Sequence, residues 1–299
     1  MINRAKNVRQ LEPGLNALFG DSYNRYGKEY TAIFETHTSD RAYEEEVMLS
    51  GFGAAVRKAE GAPISYDEAG EGWVARYLHE TYALGFMITE EAVEDNQYER
   101  LSTRYVKALA RSMAHSKEIK AVSVLNNSQN TGYLGGDGKP LIAEDHPLLG
   151  GDTFSNKATS DLSETALEDA YIKISQFTDE RGLPIAAKIK KLIVPVASTF
   201  VAERLLGSLQ QSGTGDNTVN ALRTTGIMSG AYTVNHYLTD PDAWFIITDV
   251  TDGLKHFQRT PMKKGMHTDD KTGNMMYFAR ERYSFGWSDP RAVFGSNGS

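Results

Sequence analysis

Residues 73–88 read WVARYLHETYALGFMI, and residues 89–125 follow as TEEAVEDNQYERLSTRYVKALARSMAHSKEIKAVSVL. The first stretch is rich in aromatic and aliphatic residues, which favours a strand that would span about 53 Å. The second stretch predicts a helix about 55 Å long. Its apolar residues recur every three or four positions, as on one helix face: Tyr98, Leu101, Tyr105, Leu109 and Met113. A long strand leading directly into a long, single-striped helix is unusual for a compact enzyme.

The ends of this helix carry their own signals. Thr89 is a suitable N-cap, and the acids that follow it favour the positive end of a helix. Asn126 and Asn127 end the pattern, so the sequence predicts a helix over 89–126. Lys117 and Lys120 lie towards its C-terminal end, where cations are favourable.

The residues before the strand predict a long hairpin and an arm. Residues 44–57 indicate a strand and residues 58–72 a loop rich in glycine and acids. A hairpin this long either breaks at Gly51 and Gly85 or projects, and a projecting apolar hairpin needs another chain to cover it. Residues 1–40 indicate a polar arm with short helical pieces. Its tyrosines are spaced to share a face that could pack on a neighbouring subunit: Tyr23, Tyr26 and Tyr30.

The remaining chain mixes both types of secondary structure. Asp161 and Glu164 resemble a capping box at the start of a helix over 163–181. Pro195 opens a further helix that ends at Leu206, before a flexible polar loop. Strands are predicted over 188–194, 232–238, 243–249 and 275–287. In the last of these strands alternate residues share one face: Tyr277, Ala279, Glu281, Tyr283, Phe285 and Trp287. The fold class predicted is α+β.

Composition excludes several classes of protein. The 299 residues include 32 Lys and Arg, 39 Asp and Glu and no Cys, for a net charge of −7. Without Cys there is no disulfide scaffold, zinc finger, iron–sulfur site or thiol nucleophile. A net acidic chain is a poor candidate for tight DNA binding. No apolar run approaches the ~18 residues of a membrane span, and the first residues lack the apolar core of a secretory signal.

No motif demands an enzyme. Gly51-Phe52-Gly53 lacks the third glycine of a dinucleotide turn, and Pro140 follows Lys139 where a phosphate loop needs Ser or Thr. Residues 269–274 lack the alternating ligands of a calcium loop and predict a hairpin turn. The seven histidines show no metal-binding spacing. We therefore expect no catalytic residue, no metal site, no cofactor and no enzymatic activity.

The order of elements and four stretches of sequence resemble one family. The order is an arm, an extended hairpin, a long helix and a mixed domain that closes with long strands. The stretches are HETYALGFMITEEAVEDNQYERL at 79–101, LIVPVASTFVAERLL at 192–206, YLTDPDAWFIITD at 237–249 and TGNMMYFARERYSFGWSDPRAVFGS at 272–296. Together they resemble the major capsid protein of tailed bacteriophages, with the Hong Kong 97-type fold, and in particular the Mu-like major head subunit group.

The resemblance implies a division of the chain. Residues 1–40 would be the N-terminal arm and residues 41–88 the extended loop lying over an adjacent subunit. The spine helix, 89–126, would belong to a peripheral domain of residues 89–159 and 251–287. Residues 160–250 and 288–299 would form the axial domain. The implied assembly residues are Gly61, Pro63, Tyr66 and Gly70 at the extended-loop tip, and Gly213, Gly215 and Asp216 at the axial-domain tip.

The resemblance also implies a function. Such a subunit self-assembles into hexamers and pentamers that form the icosahedral head shell around the genome. It is synthesised and assembled in the host cytoplasm and ends in the virion. The implied partners are further copies of the chain, a separate scaffolding protein, a portal and cement proteins, with no membrane. Packaged double-stranded DNA would be contacted weakly and without sequence specificity, which suits a net acidic shell.

Two other functions remain open. An encapsulin-type nanocompartment would form a shell of one size without portal or DNA and would hold a cargo enzyme. An α+β enzyme using a carboxylate pair or a bound cofactor would be compact, with a deep pocket and the 44–88 hairpin folded back.

Overall fold

The computed structural model of this chain describes residues 5–94, 98–210, 219–228, 232–269 and 271–298. The helices are α1 Ala5–Arg25, α2 Glu90–Glu94, α3 Tyr98–Asn126, α4 Glu164–Ser175, α5 Thr199–Gly207 and α6 Ala221–Thr224. Short 3-10 helices cover Glu29–Ala32, Val196–Ser198 and Pro290–Ala292. The predicted mixture of helices and sheets is confirmed.

Thirteen strands lie in the described part of the chain. They are β1 Glu35–Thr38, β2 Tyr43–Leu49, β3 Glu71–Leu78, β4 Glu80–Ile88, β5 His146–Pro147, β6 Thr153–Phe154, β7 Lys157–Ala158, β8 Ile189–Pro195, β9 Tyr232–Asn235, β10 Trp244–Thr248, β11 Leu254–Thr268, β12 Met275–Trp287 and β13 Val293–Ser296. β2 pairs with β3, and β5 with β6, as two-stranded ribbons.

A four-stranded sheet has the order β1-β11-β12-β4, and α1 and α3 cover one of its faces. Every second residue of β12 from Met275 to Tyr283 is buried on the helix-facing side, which confirms the predicted alternation. The apolar core of this layer joins the arm, the long helix and β12: Leu15, Phe19, Val106, Leu109, Ala110, Met113, Tyr277 and Ala279.

A five-stranded sheet has the order β7-β13-β10-β8-β9. Its centre is the apolar strand β10, with α4 and α5 packed against the sheet. The core of this layer is apolar and includes Leu167, Ile174, Leu192, Val194, Ala202, Leu206, Trp244, Ile246 and Phe294. β13 returns the C-terminal segment to this sheet. β7, which lies within the predicted peripheral range 89–159, pairs with β13 of this sheet.

The long predicted strand breaks at His79 rather than at Gly85. His79 is buried between two serine hydroxyls, with Nδ1 3.0 Å from Ser284 Oγ and Nε2 3.0 Å from Ser39 Oγ. β3 therefore pairs with β2 in a projecting ribbon, whereas β4 turns to join β12. Gly85 remains inside β4, where an added Cβ would lie 2.8 Å from the backbone oxygen of Tyr277 and would clash with it. The strand predicted over 44–57 ends at Leu49.

The arm also differs from the expectation of short helical pieces that pack on a neighbour. Its first part is one helix, α1, which packs on α3 of the same chain. The three tyrosines do not share a face, because α1 ends at Arg25. Tyr23 stacks on Phe19, Tyr26 is exposed and Tyr30 is buried in the following 3-10 helix.

Several helices and strands further along the chain begin or end at other residues than predicted. α4 ends at Ser175 rather than at 181, and its N-cap is Ser163, whose side chain accepts from the Ala166 N–H, rather than Asp161. The helix expected from Pro195 starts as a 3-10 turn before α5. The strand expected over 232–238 ends at Asn235.

Candidate assembly surfaces

The ribbon of β2 and β3 has two different faces. On its inner face Ala75 and Tyr77 are buried, and Tyr77 contacts the Phe257 ring at 4.8 Å. On its outer face the directly opposed pairs Tyr43–Leu78, Glu45–Arg76 and Val47–Val74 are exposed. The outer face is therefore largely apolar, yet no element of the described chain covers it.

The base of the ribbon is fixed by a buried cation. Lys255 Nζ lies 2.5 Å from Glu46 Oε1 and 2.6 Å from Asp252 Oδ1. Glu46 also accepts from the Ser288 hydroxyl, and the Tyr77 hydroxyl is 2.5 Å from Ser288 Oγ. Charge-assisted bonds of this kind set the direction in which the ribbon leaves the body.

Residues 50–70 join the two strands as a loop without regular secondary structure. Its neck is closed by Ser50, whose N–H donates to Gly70 O at 2.9 Å and whose Oγ accepts from Gly70 N at 2.7 Å. The four predicted tip residues all lie on this loop and are exposed: Gly61, which has a φ of 77°, Pro63, Tyr66 and Gly70. Tyr66 is 90% exposed. The loop exposes further large apolar side chains: Phe52, Val56 and Ile64.

One ion pair ties this loop to the rest of the chain. Arg181, in the turn after α4, donates through Nη1 to both Asp67 carboxylate oxygens, at 3.0 and 3.1 Å, and through Nη2 to Glu68 O. Gly53 N also donates to Asp67 at 2.7 Å. The pKa of Asp67 is lowered, mainly by this hydrogen bond from the Gly53 backbone and also by Arg181. No local pattern predicts this contact, because the two residues are 114 positions apart in the sequence.

The long helix α3 is buried along one face from Ser102 to Leu125. Leu109 and Met113 lie on that face, as predicted from the spacing. Tyr105 does not: it is 46% exposed, and Val106 takes the fully buried position beside it. Tyr105 instead contacts the edge strand through the Phe86 ring, at 5.5 Å. The side chains of Tyr98 and Leu101 lie outside the described residues.

The buried face of α3 continues into charged residues, which the spacing of its apolar residues does not predict. Lys117 Nζ lies 3.1 Å from Glu281 Oε2, and both side chains are almost fully buried. The same ammonium lies over the Tyr283 ring at 4.7 Å and the Tyr30 ring at 5.3 Å. Burial lowers the pKa of Lys117 and raises that of Glu281, against their mutual attraction. Glu281 occupies one of the alternating positions of β12 that face the core. This position in the pattern is the one feature of the sequence that indicates a buried acid.

A neighbouring carboxylate anchors the arm. Glu118 Oε2 accepts from the backbone N–H of Tyr30 at 3.1 Å, and burial raises the pKa of Glu118 to about 7. On the other side, Glu29 binds His236 Nδ1 at 2.7 Å and its backbone N–H at 2.9 Å. Lys191 Nζ donates to Ala32 O at 3.1 Å. The short segment 29–32 thus links α3 to the five-stranded sheet.

The predicted axial tip residues Gly213, Gly215 and Asp216 lie outside the described residues. The chain on either side of them exposes large apolar side chains: Phe200, Leu209 and Val219. Within the ranges that the structure describes, no group of His, Asp or Glu side chains is placed to hold a metal ion. No described helix combines the length and the apolar character needed to cross a bilayer.

Comparison with protein families gives one match. The model of a family described as phage capsid protein matches residues 74–295, which is most of the chain and includes β3, α3 and both sheets. No significant match was found among curated protein sequences.

Several solved structures share the fold at low sequence identity. A virus-like particle from Pyrococcus furiosus aligns with a TM-score of 0.52 and 10% identity over 94% of this chain and 97% of that chain. The capsid of Myoviridae phage XM1 aligns with 0.51 and 11% over 91% and 92%. Mycobacterium phage Che8 aligns with 0.52 and 14% over 94% and 92%. The chain therefore has the Hong Kong 97-type fold that its sequence resembles.

Proposed function

We propose how the surfaces described above act in a shell. The premise is that this chain belongs to the phage capsid protein family. It is a major capsid protein, and copies of it build the icosahedral head shell of the virion. Family membership implies a structural rather than an enzymatic role.

The observation that carries the proposal is the loop-bearing ribbon. Its outer face and its loop expose large apolar side chains in a single chain, and a monomeric protein rarely leaves such a surface uncovered. In a shell a neighbouring subunit covers this surface, and the fold of the subunit itself does not have to change. Many modest contacts then add up in a closed shell.

The domain boundaries follow as part of this proposal. Residues 1–40 act as the arm and 41–88 as the extended loop, whose tip at Gly61, Pro63, Tyr66 and Gly70 lies over an adjacent subunit. Residues 89–159 and 251–287 form the peripheral domain. Residues 160–250 and 288–299 form the axial domain, whose tip at Gly213, Gly215 and Asp216 meets its copies at the centres of hexamers and pentamers.

The proposal also covers the subgroup of the family, the place of assembly and the assembly partners. We infer membership of the Mu-like major head subunit group, assembly in the host cytoplasm with a separate scaffolding protein, and contacts with a portal and cement proteins. Packaged DNA is contacted weakly, because the subunit carries a net charge of −7 and phosphates are repelled by a net negative surface.

Electron microscopy with light scattering of the overexpressed protein tests the function. Shells, tubes, or free hexamers and pentamers with a mass many times 33.1 kDa are expected. A uniform monomer or dimer that persists after scaffold protein or a crowding agent is added would contradict it. Shells that hold a cargo enzyme and never DNA would indicate a nanocompartment instead.

A further inference from the structure

The solvent side of α3 carries a row of cations. Arg104, Lys107 and Arg111 are exposed, and at about 3.6 residues per turn they lie within an arc of about 60°. They extend along about 10 Å of the helix axis, at a rise of about 1.5 Å per residue. We term these three residues the basic stripe. The side chains on the opposite side of α3 are buried in the core: Val106, Leu109, Ala110 and Met113.

The basic stripe is not neutralised within the described chain. None of the ion pairs among the described residues includes any of its three members. Residues 101–117 contain no Asp or Glu, and the first acid that follows, Glu118, is buried and accepts from the Tyr30 N–H. The stripe therefore attracts anions from solvent, although the whole chain carries a net charge of −7.

The surface around the basic stripe suits a phosphate backbone better than a protein partner. Ala108 and Ser112 complete this side of the helix, and both are small and exposed. Tyr105 lies about 100° further round the helix from Arg104, with its ring against that of Phe86. Protein interfaces centre on aromatic and other large apolar side chains, whereas phosphates are bound by cations and small polar groups.

We propose that the basic stripe binds the phosphate backbone of the double-stranded DNA that the shell encloses. The contact rests on the proposed function, which supplies the DNA, and it requires the solvent side of α3 to line the inside of the shell. DNA carries a negative charge about every 1.7 Å of its axis, so a stripe of about 10 Å faces about six phosphates. Three cations make a weak, salt-sensitive contact without sequence specificity, and the net negative charge of the subunit keeps the DNA from being trapped.

Removal of the three charges tests the contact. Fluorescence anisotropy of a short labelled DNA duplex, titrated with the unassembled protein in about 0.05 M salt, measures the affinity. Glutamine removes each charge and has nearly the helix propensity of Arg and Lys, so the stripe variant is Arg104→Gln, Lys107→Gln and Arg111→Gln. Its affinity for DNA should fall at least about tenfold, and the slope of log affinity against log salt should become shallower by about 2–3.

Two control variants separate the basic stripe from net charge. Arg104→Lys with Arg111→Lys keeps all three charges and should bind DNA like the wild type. Lys190→Gln with Lys263→Gln and Arg280→Gln removes three exposed charges that form none of the ion pairs in the described ranges. Because these residues lie outside α3, this variant should lose less than about twofold in affinity.

Melting temperatures show whether the variants remain folded. Each should melt within about 2 °C of the wild type, because every substituted side chain is exposed. If the stripe variant melts lower, Lys107→Gln with Arg111→Gln carries the test, with a slope that becomes shallower by about 2.

Intact shells test the side on which the basic stripe lies. DNA added outside intact wild-type shells should bind no more tightly than to intact shells of the stripe variant, because the stripe faces inwards. Loss of external DNA binding in the variant shells would place the stripe on the outside and would overturn the contact with packaged DNA.

The other outcomes are distinct. Equal losses of affinity in the stripe variant and in the Lys190, Lys263 and Arg280 variant, or no DNA binding by the wild type, would overturn the contact while the capsid function stands. Tighter binding of polyglutamate than of DNA at equal charge would identify an acidic protein segment as the occupant and would also overturn it. Failure of the wild type to form shells, seen by electron microscopy without any DNA, would instead refute the proposed function.

Discussion

The extended loop and the layer beneath α3 break the usual rule of burial in opposite directions. The loop leaves Phe52, Ile64 and Tyr66 in solvent, where large apolar side chains are unfavourable. The layer beneath α3 buries Lys117 and Glu281, which are rarely fully buried unless paired. The buried charges are satisfied within the chain, whereas no element of the described chain covers the apolar side chains of the loop. On the proposed function, a second copy covers them.

Stability should therefore depend on the α3 layer and assembly on the loop. The loop has three ties to the body or to itself, at its Ser50–Gly70 neck, at Gly53–Asp67 and at Arg181–Asp67. The α3 layer combines an apolar core with an ion pair enclosed by aromatic rings. The following changes test this division, from the largest expected effect to the smallest.

Leu109→Asp should have the largest effect on folding. Leu109 is buried among Met113, Tyr277 and the arm, so a carboxylate there costs about 4 kcal/mol or more in the free energy of unfolding. Tyr105→Asp, on the exposed side of the same helix, should cost about 1 kcal/mol or less. Chemical denaturation measures both. Equal losses would show that the buried face of α3 is misplaced.

Lys117→Met should cost about 3–5 kcal/mol, because it leaves the Glu281 carboxylate buried without its cation. Adding Glu281→Leu should restore most of that loss, since the pair is then replaced by apolar side chains. Thermal and chemical unfolding of the two single variants and the double variant measure the coupling. Independent, additive losses would mean that the pair is not a unit.

Glu118→Gln should change how stability depends on pH. The folded carboxyl takes up its proton at a pKa of about 7 and the unfolded one near 4.5, so its contribution is fully present below about pH 4.5 and is lost as the pH rises through 7. The Gln oxygen can still accept from the Tyr30 N–H. The variant should exceed the wild type by about 3 kcal/mol at pH 8 and match it near pH 4.5. A constant difference at both pH values would contradict this reading.

Arg181→Ala should have the smallest effect on the fold. It removes a partly exposed ion pair, so the melting temperature should move by less than about 2 °C. Limited proteolysis should nevertheless cut faster between residues 54 and 66, because the loop loses its tie to the body. Unchanged cleavage would show that the loop is held by other contacts.

The sequence predicted the parts of this molecule that follow a regular period. The alternation in β12 and the three- and four-residue spacing of Leu109 and Met113 placed the core face of the sheet and of the helix. Tyr105 was misassigned because the buried face passes through Val106, and spacing alone fits either residue. The break at His79 was missed, because two distant serines stabilise that corner. The Lys117–Glu281 and Arg181–Asp67 contacts depend on long-range pairing, which no local pattern encodes.

The most direct test of the account replaces residues 54–66 with two glycines. This keeps the Ser50–Gly70 neck and the Gly53–Asp67 and Arg181–Asp67 contacts. Melting temperature and shell yield by light scattering are then measured together with those of the wild type. We predict a subunit that melts within about 2 °C of the wild type and does not form normal shells. Normal shells, or a subunit that no longer folds, would contradict the claim that the loop serves assembly and not the fold.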